Sequence, residues 1–363
     1  MLIYFVILVL LFFAATFSRP KNKSVFLFSL ICLILIAVFR GKWIGTDNFV
    51  YYSNFSSTTM NPSSWSKYTE FEPGYSWLMA VFKTYVENNF WIFRGISFIV
   101  YAAGVGYVIN KYCKNPTLGL FFYVLFLDYT SGFNTMRQLA ALGLICFTIP
   151  LLERKKNILL YEILVILITV MFHRTMVIMT TLPVFLYSTK INGLFQNKRL
   201  VISLLLGSYL FVFLSKWLYG LIPYFVQTFS FLGDRYVGYF KTSERAEETV
   251  SIISSFLNTA FAIYVVLVSP AKEKKRMLFI CLVLGVLCQN ILGAMSALFL
   301  RVSINLLLFR IILFANLWYS ISNYKARVLF RWLVCFYGLV GFSNSMLKNF
   351  GDIVPYDLIA YPF

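Results

Sequence analysis

Charge is scarce in this chain: 13% of its 363 residues are Asp, Glu, Lys or Arg, about half the share usual in a soluble domain. With 60% hydrophobic residues and a mean hydropathy of +0.77, that scarcity excludes an ordinary soluble fold. Histidine is nearly absent, with His173 alone, and no HxxxH or His/Asp/Glu grouping surrounds it, so neither a metal nor another cofactor is expected. The six cysteines, Cys32, Cys113, Cys146, Cys281, Cys288 and Cys335, lie mostly inside apolar runs without CxxC spacing, which leaves them as small buried hydrophobes. Strict apolar–polar alternation is missing too, which excludes a membrane β-barrel. Without strands, no P-loop or dinucleotide fingerprint has a place to sit.

What remains is hydrocarbon in runs of about 15 to 20 residues, divided by short polar loops. In lipid, backbone groups must be satisfied within the segment, so these runs predict helices. The expected fold is an all-α polytopic membrane protein with about twelve spans, near 1–17, 24–39, 91–109, 117–129, 133–152, 157–172, 175–189, 200–218, 251–269, 277–297, 302–320 and 328–346. The first run lacks a basic region before it and carries its positive cluster after it. That order predicts a retained first span with its N-terminus outside. No internal repeat marks two related halves; FRG recurs at 39–41 and 93–95, too short to count. The chain therefore reads as one membrane domain, residues 1–363.

The formal net charge of +18 would suggest nucleic acid in a soluble protein, but the basic residues cluster in short loops: RPKNK at 19–23, ERKK at 153–156, QNKR at 196–199 and AKEKKR at 271–276. Short basic loops are topology signals of the positive-inside rule, and no nucleic acid is expected. Placing RPKNK inside puts the other basic loops inside as well, provided residues 73–87 do not cross. That stretch is short for a membrane core of about 30 Å and carries Lys83, so it is expected to be a re-entrant or interfacial half-helix on the outer face. Two long outer loops follow, 40–72 and 219–250.

The polar residues then gather at the outer ends of the spans: Arg40, Asp47, Glu72, Asp128, Arg137, His173, Arg174, Asp234, Arg235 and Arg301. An arginine at membrane depth costs roughly 2.5–3.5 kcal/mol even on the lenient insertion scale, so it needs an anion, a wet cavity or a path to the headgroups. Nearby carboxylates are too few for the whole set. Guanidinium groups suit phosphate through paired hydrogen bonds, which points to a membrane-embedded pyrophosphate. Arg310, deeper in its span, has Gln289 and Asn290 as candidate structural partners.

Several residues carry two readings. In FRGKWIGTDNFVYYSNF, residues 39–55, Gly45 permits a tight turn, and Thr46 or Asp47 is placed to cap the next helix. Asp47 is alternatively a carboxylate kept ionised by neighbouring cations, as a general base requires. Tyr51 and Tyr52 suit either the membrane interface or stacking on a sugar. His173, in FHRT, is either structural or a catalytic or phosphate-contacting group, and Glu72 is a third candidate base.

These motifs together resemble the EpsG and Wzy group of polysaccharide repeat-unit polymerases: FR, then GTD and Tyr51 after the second span, FEPGY at 71–75, NTMRQLAALGL at 134–144, FHRT at 172–175 and RVSINLLLF at 301–309. The resemblance spans most of the chain in order. The threonine of FHRT departs from the small residue expected there, and loop 219–250 matches nothing specific. The resemblance implies an inner-membrane glycosyltransferase with a bundle similar to the GT-C lipid-sugar enzymes and an active site facing the periplasm. Donor and acceptor would be glycans on undecaprenyl pyrophosphate, with membrane lipid around them and a chain-length regulator as a candidate partner protein. It implies Arg40, Arg137, Arg174 and Arg301 as cations for the pyrophosphate, Asp47 as base with His173 and Glu72 as competitors, and Tyr51 as a sugar contact. The rival functions are a lipid-linked oligosaccharide flippase, which usually has related halves and a cavity open to both faces, and another outer-face transferase such as an O-antigen ligase.

Overall fold

A computed structural model describes residues 1–65, 71–218, 251–270, 277–295 and 300–358. Among them every regular element is helical, and the only strand-like pairing is an isolated antiparallel bridge between Arg40 and Leu358. Residues 219–250, expected as an outer loop and carrying Asp234 and Arg235, lie outside the described residues, as does the AKEKKR loop. Among the described residues, five helices are long and apolar enough to cross a membrane: Phe90–Tyr112, Met136–Glu153, Met277–Ala294, Leu300–Ser320 and Tyr324–Leu347. Shorter apolar helices of 10–17 residues accompany them, Leu2–Phe17 and Lys23–Val38 among these. The chain is thus a multi-pass all-α membrane protein.

The chain divides into two compact units, Met1–Val177 with Phe314–Tyr319 and Arg327–Phe363, and Ile178–Leu313 with Ser320–Ala326. In the first unit the helices are α1 (Leu2–Phe17), α2 (Lys23–Val38), α3 (Asn48–Ser57), α4 (Pro73–Val81), α5 (Phe90–Tyr112), α6 (Pro116–Leu125), α7 (Asp128–Ser131), α8 (Met136–Thr148) and α9 (Ile158–Met171). Their starts are legible as caps. Asn22, Asn89 and Asn115 each accept a hydrogen bond from a first-turn amide, of Val25, Trp91 and Leu118, and Pro73 and Pro116 begin α4 and α6 where a missing N–H costs nothing.

The core of the unit is α5 against α8. Gly104 and Gly143 let the two backbones approach so closely that a Cβ on Gly104 would overlap the Gly143 carbonyl, the small-residue contact that membrane helices use in place of a hydrophobic driving force. Both helices end at the same side: Lys111 pairs with Glu153 at 2.9 Å, and Tyr112 donates its hydroxyl to Glu153 at 2.6 Å. Since α5 and α8 run in the same direction, residues 113–135 must return across the unit. They do so as the ten-residue α6, then Leu127 in the left-handed region at φ 65°, then α7. The apolar run at 117–129 is therefore a broken return.

Residues 73–86 form α4 followed by a wider turn over Phe82–Val86, about 21 Å at 1.5 Å per residue. Lys83 is satisfied within the protein, because its ammonium donates to the carbonyls of Ser56 and Thr58 at the end of α3. Aromatic side chains from α3, α4 and the start of α5, including Tyr51, Phe55, Tyr75, Phe82, Phe90 and Phe93, pack into one cluster. That cluster fixes the two short helices to the end of the unit opposite Lys111–Glu153.

In the second unit, Asn290 donates its amide to Ser208 at 3.0 Å and Thr259 at 2.8 Å. One amide thereby ties together the helices Lys198–Leu218, Ile252–Val268 and Met277–Met295. The side-chain oxygens of Gln289 and Asn290 accept no hydrogen bond, so the partnership of Arg310 with either is not formed through them. Arg310 stands instead at the first position of helix Arg310–Ser320, just beyond a break after Leu307.

Candidate functional site

The polar residues of the first unit meet at the end where α2 stops and α5 and α8 begin. Glu72 precedes Pro73, in the extended conformation of a helix N-cap, and its carboxylate points away from its own helix. One oxygen pairs with the guanidinium of Arg137 and the other accepts the backbone N–H of Arg174 at 3.3 Å. Arg137 and Glu72 side chains are 9% and 10% exposed, whereas Arg174 is exposed. A buried ion pair of this kind is stable only with good geometry and further partners. Here Phe71 supplies one, its ring centroid 3.9 Å from the Arg137 guanidinium carbon.

Tyr51 belongs to the same group. Its hydroxyl accepts the backbone N–H of Arg137 at 3.3 Å, one of the amides that the first turn of α8 cannot satisfy internally. The Tyr51 ring is buried between Phe71 and Tyr75, with centroids 5.2 and 6.3 Å away. Asp47 lies one turn before Tyr51, whose amide donates to the Asp47 carbonyl at 3.2 Å, so both share the face of α3 that meets α8. Asp47 holds the N-cap position of α3 without a side-chain cap bond, and it is half-buried. The hydroxyl of Thr46 turns instead to Asn134 Oδ1 at 3.2 Å. Gly45 makes the preceding turn at φ 114°, and a Cβ there would fall 2.5 Å from the Phe133 carbonyl oxygen, so only glycine fits.

His173 is buried, and its Nδ1 lies 2.8 Å from the Thr175 hydroxyl and 3.4 Å from the Thr175 amide. An amide can only donate, so Nδ1 is the acceptor and the neutral ring carries its proton on Nε2. The threonine of FHRT thus orients the histidine.

Arg40 is fully buried beside the group. It donates to the Ala37 carbonyl at 2.6 Å, and its guanidinium lies 4.6 Å from the Phe133 ring centroid. Arg94, which charge placement alone did not single out, is equally buried and holds three carbonyls in succession: Arg40 at 2.7 Å, Gly41 at 3.0 Å and Lys42 at 2.9 Å. Its signal in the sequence was the second FRG, at 93–95. Arg301 is half-buried on helix Leu300–Leu307 in the other unit.

The arrangement has a distinct chemistry. One carboxylate engages the guanidinium of buried Arg137 and the backbone of exposed Arg174, which follows the buried His173, and a half-buried Asp47 lies one turn before the Tyr51 that accepts the Arg137 amide. No cluster of His, Cys, Asp or Glu suited to a metal occurs among the described residues. Cationic donors beside a carboxylate suit the stabilisation of a departing phosphate and the deprotonation of an incoming hydroxyl.

The model of the EpsG family matches residues 25–358 of this chain. No curated protein and no solved structure matches it.

Proposed function

Because the chain belongs to the EpsG family, whose members are Wzy-like polymerases, we infer that it joins oligosaccharide repeat units carried on undecaprenyl pyrophosphate, at the periplasmic face of the inner membrane. The observation that carries this reading is the Glu72 carboxylate holding Arg137 and Arg174 together at one end of an all-helical membrane unit. In the proposed reaction, Asp47 takes the proton of an acceptor hydroxyl at the non-reducing end of one repeat unit. The hydroxyl oxygen bonds to the anomeric carbon of the growing glycan, and the bond from that carbon to the pyrophosphate oxygen of its carrier breaks. The pyrophosphate leaves with the electron pair, and the arginines meet the charge that develops as the anomeric centre becomes oxocarbenium-like.

Within this reading Arg137 and Arg174 are the pyrophosphate contacts in the first unit, and Arg301 is assigned the same role from its motif. Arg40, enclosed by backbone and aromatic rings, closes the end of α2, where its guanidinium binds the Ala37 carbonyl. Glu72 sets the arginines, since both its oxygens are engaged, and Tyr51 caps α8. His173 Nε2–H is a hydrogen-bond donor to a sugar or phosphate oxygen. No nucleotide sugar is required, because the polyprenyl pyrophosphate is itself the leaving group.

Deletion of the gene followed by electrophoresis of the surface glycan tests the function. Loss of a polymerase leaves a single repeat unit attached and no ladder. A flippase would abolish surface repeats altogether, and a ligase would leave polymer on the carrier lipid but not on its final acceptor.

A further inference from the structure

After its last long helix, Tyr324–Leu347, the chain turns back as NFGDIVPYDL, residues 349–358. It lies along the segment that leads to Asp47. The Asp357 carbonyl accepts the Gly41 amide at 2.8 Å, the Asp352 carbonyl accepts the Gly45 amide at 3.0 Å, and the Gly351 carbonyl accepts the Thr46 amide at 3.3 Å. Arg40 and Leu358 form the antiparallel bridge. All three amides belong to the loop between α2 and α3 that precedes Asp47, where no helix ladder satisfies them.

The far side of this segment is fixed in the unit. Ile353 is buried, its carbonyl accepts the Tyr4 hydroxyl at 3.0 Å, and Tyr356 donates to the Ile36 carbonyl at 2.7 Å. The shape that permits this is built from the residue types that adopt a left-handed backbone most readily. Asn349, Gly351 and Asp352 all have left-handed backbones, at φ 48°, 84° and 51°, and a Cβ on Gly351 would overlap the Asn134 side-chain amide. Asn134 is the residue that also takes the Thr46 hydroxyl. Three stretches distant in sequence, 45–46, 133–134 and 351–352, therefore converge directly before Asp47.

We propose that residues 349–358 are a positioning element of the active site, and that Asp352 acts there through its left-handed backbone and carbonyl, which set the turn from which Asp47 projects, and not through its carboxylate. The proposal rests on Asp47 being the base. Asp352 is exposed, so its substitution changes backbone preference with little effect on packing. Glycine adopts the left-handed region freely, whereas a β-branched residue resists it.

The test compares Asp352→Gly and Asp352→Val in a strain lacking the native gene, each with and without Ile44→Cys as a reporter. Ile44 is 4% exposed in the middle of the held segment. Three quantities are read at matched membrane levels: the glycan ladder, the chain-length distribution, and reaction of the reporter thiol with an impermeant maleimide. Asp352→Gly is expected to keep the ladder and a protected reporter. Asp352→Val is expected to release the reporter to the reagent and to cut polymer about tenfold, as strain of this kind implies. A full ladder from Asp352→Val, with the reporter either protected or reactive, overturns the positioning role. A lost ladder in Asp352→Gly with the reporter protected overturns it in the other direction, since the carboxylate would then be doing the work.

Should gene deletion leave the ladder intact, the polymerase reading falls and the positioning role with it, while the maleimide reaction still decides whether the segment holds the loop.

Discussion

Glu72 and Arg137 face each other in an ion pair that joins the start of α4 to the start of α8 across 65 positions of sequence. Each carries a second connection: Glu72 to the Arg174 amide, and Arg137, through its own amide, to the Tyr51 hydroxyl. The pair is thus the joint between four of the motifs that lie far apart along the chain, and it bears both on folding and on the proposed chemistry.

The two roles separate in a double substitution. Arg137→Ala leaves the Glu72 carboxylate buried without its partner, which costs about 3–5 kcal/mol, so protein as well as polymer should fall. Replacing both residues by glutamine removes the charges together and should recover most of the protein in the membrane. It should not recover the ladder, because the Arg137 guanidinium is lost to the pyrophosphate and Arg174 is no longer held beside it by a carboxylate. Recovery of both would make the pair purely structural. Immunoblots of membranes beside glycan gels read the two quantities.

Arg94 and Arg174 should fail in opposite ways. Arg94→Ala strips three carbonyls of a charged donor, each such bond contributing about 1.5–3 kcal/mol, and is expected to lower the Tm in detergent markedly. Arg174→Ala should change the Tm little, because its side chain is exposed and its backbone bond to Glu72 survives the substitution. It should nevertheless cut polymer formation by about a hundredfold if it meets the pyrophosphate. Arg174→Lys should recover little, since the paired hydrogen bonds of the guanidinium are gone.

Why some of this was legible in the sequence and some was not is plain from particular residues. α5 spans Phe90–Tyr112 where the hydropathy predicts 91–109, because a long hydrocarbon run in lipid has one low-energy form. The run at 117–129 carried no sign of its break: Leu127 is an apolar residue in a left-handed conformation, for which its side chain gives no cue. At the site, counting charges at span ends reached Glu72, Arg137, Arg174 and Asp47, but not which of them pair. Arg94 was hidden because it binds carbonyls, and every residue has one. The segment Asn349–Leu358 was hidden for the same reason, since most of its bonds to the Arg40–Thr46 loop are made by backbone.

The orientation in the membrane follows from the same two ends. Ser63 is exposed in the loop between α3 and α4, and Lys156 is exposed beyond Glu153 at the opposite end. With basic loops inside, Ser63→Cys should react with an impermeant maleimide in intact cells, and Lys156→Cys only after permeabilisation. The reverse pattern would turn the unit over and move the site to the cytoplasm. Loop 219–250, expected on the outer face, is reached by the same labelling at Thr242.

The identity of the base is the sharpest remaining test. Asp47 sits at the N-cap of α3 without a side-chain cap bond, so capping does not account for a carboxylate there. Asp47→Asn preserves size and hydrogen-bonding capacity and should leave protein level and Tm unchanged, yet stop polymerisation, because an amide takes no proton from the acceptor hydroxyl. His173→Gln supplies the comparison. The ring receives the Thr175 amide at Nδ1 and presents Nε2–H, so its expected contribution is a hydrogen bond. A glutamine amide can still donate, and His173→Gln should retain part of the ladder while Asp47→Asn retains none. The opposite result, an inactive His173→Gln beside a working Asp47→Asn, would move proton abstraction to FHRT and leave GTD as the turn that the C-terminal segment holds.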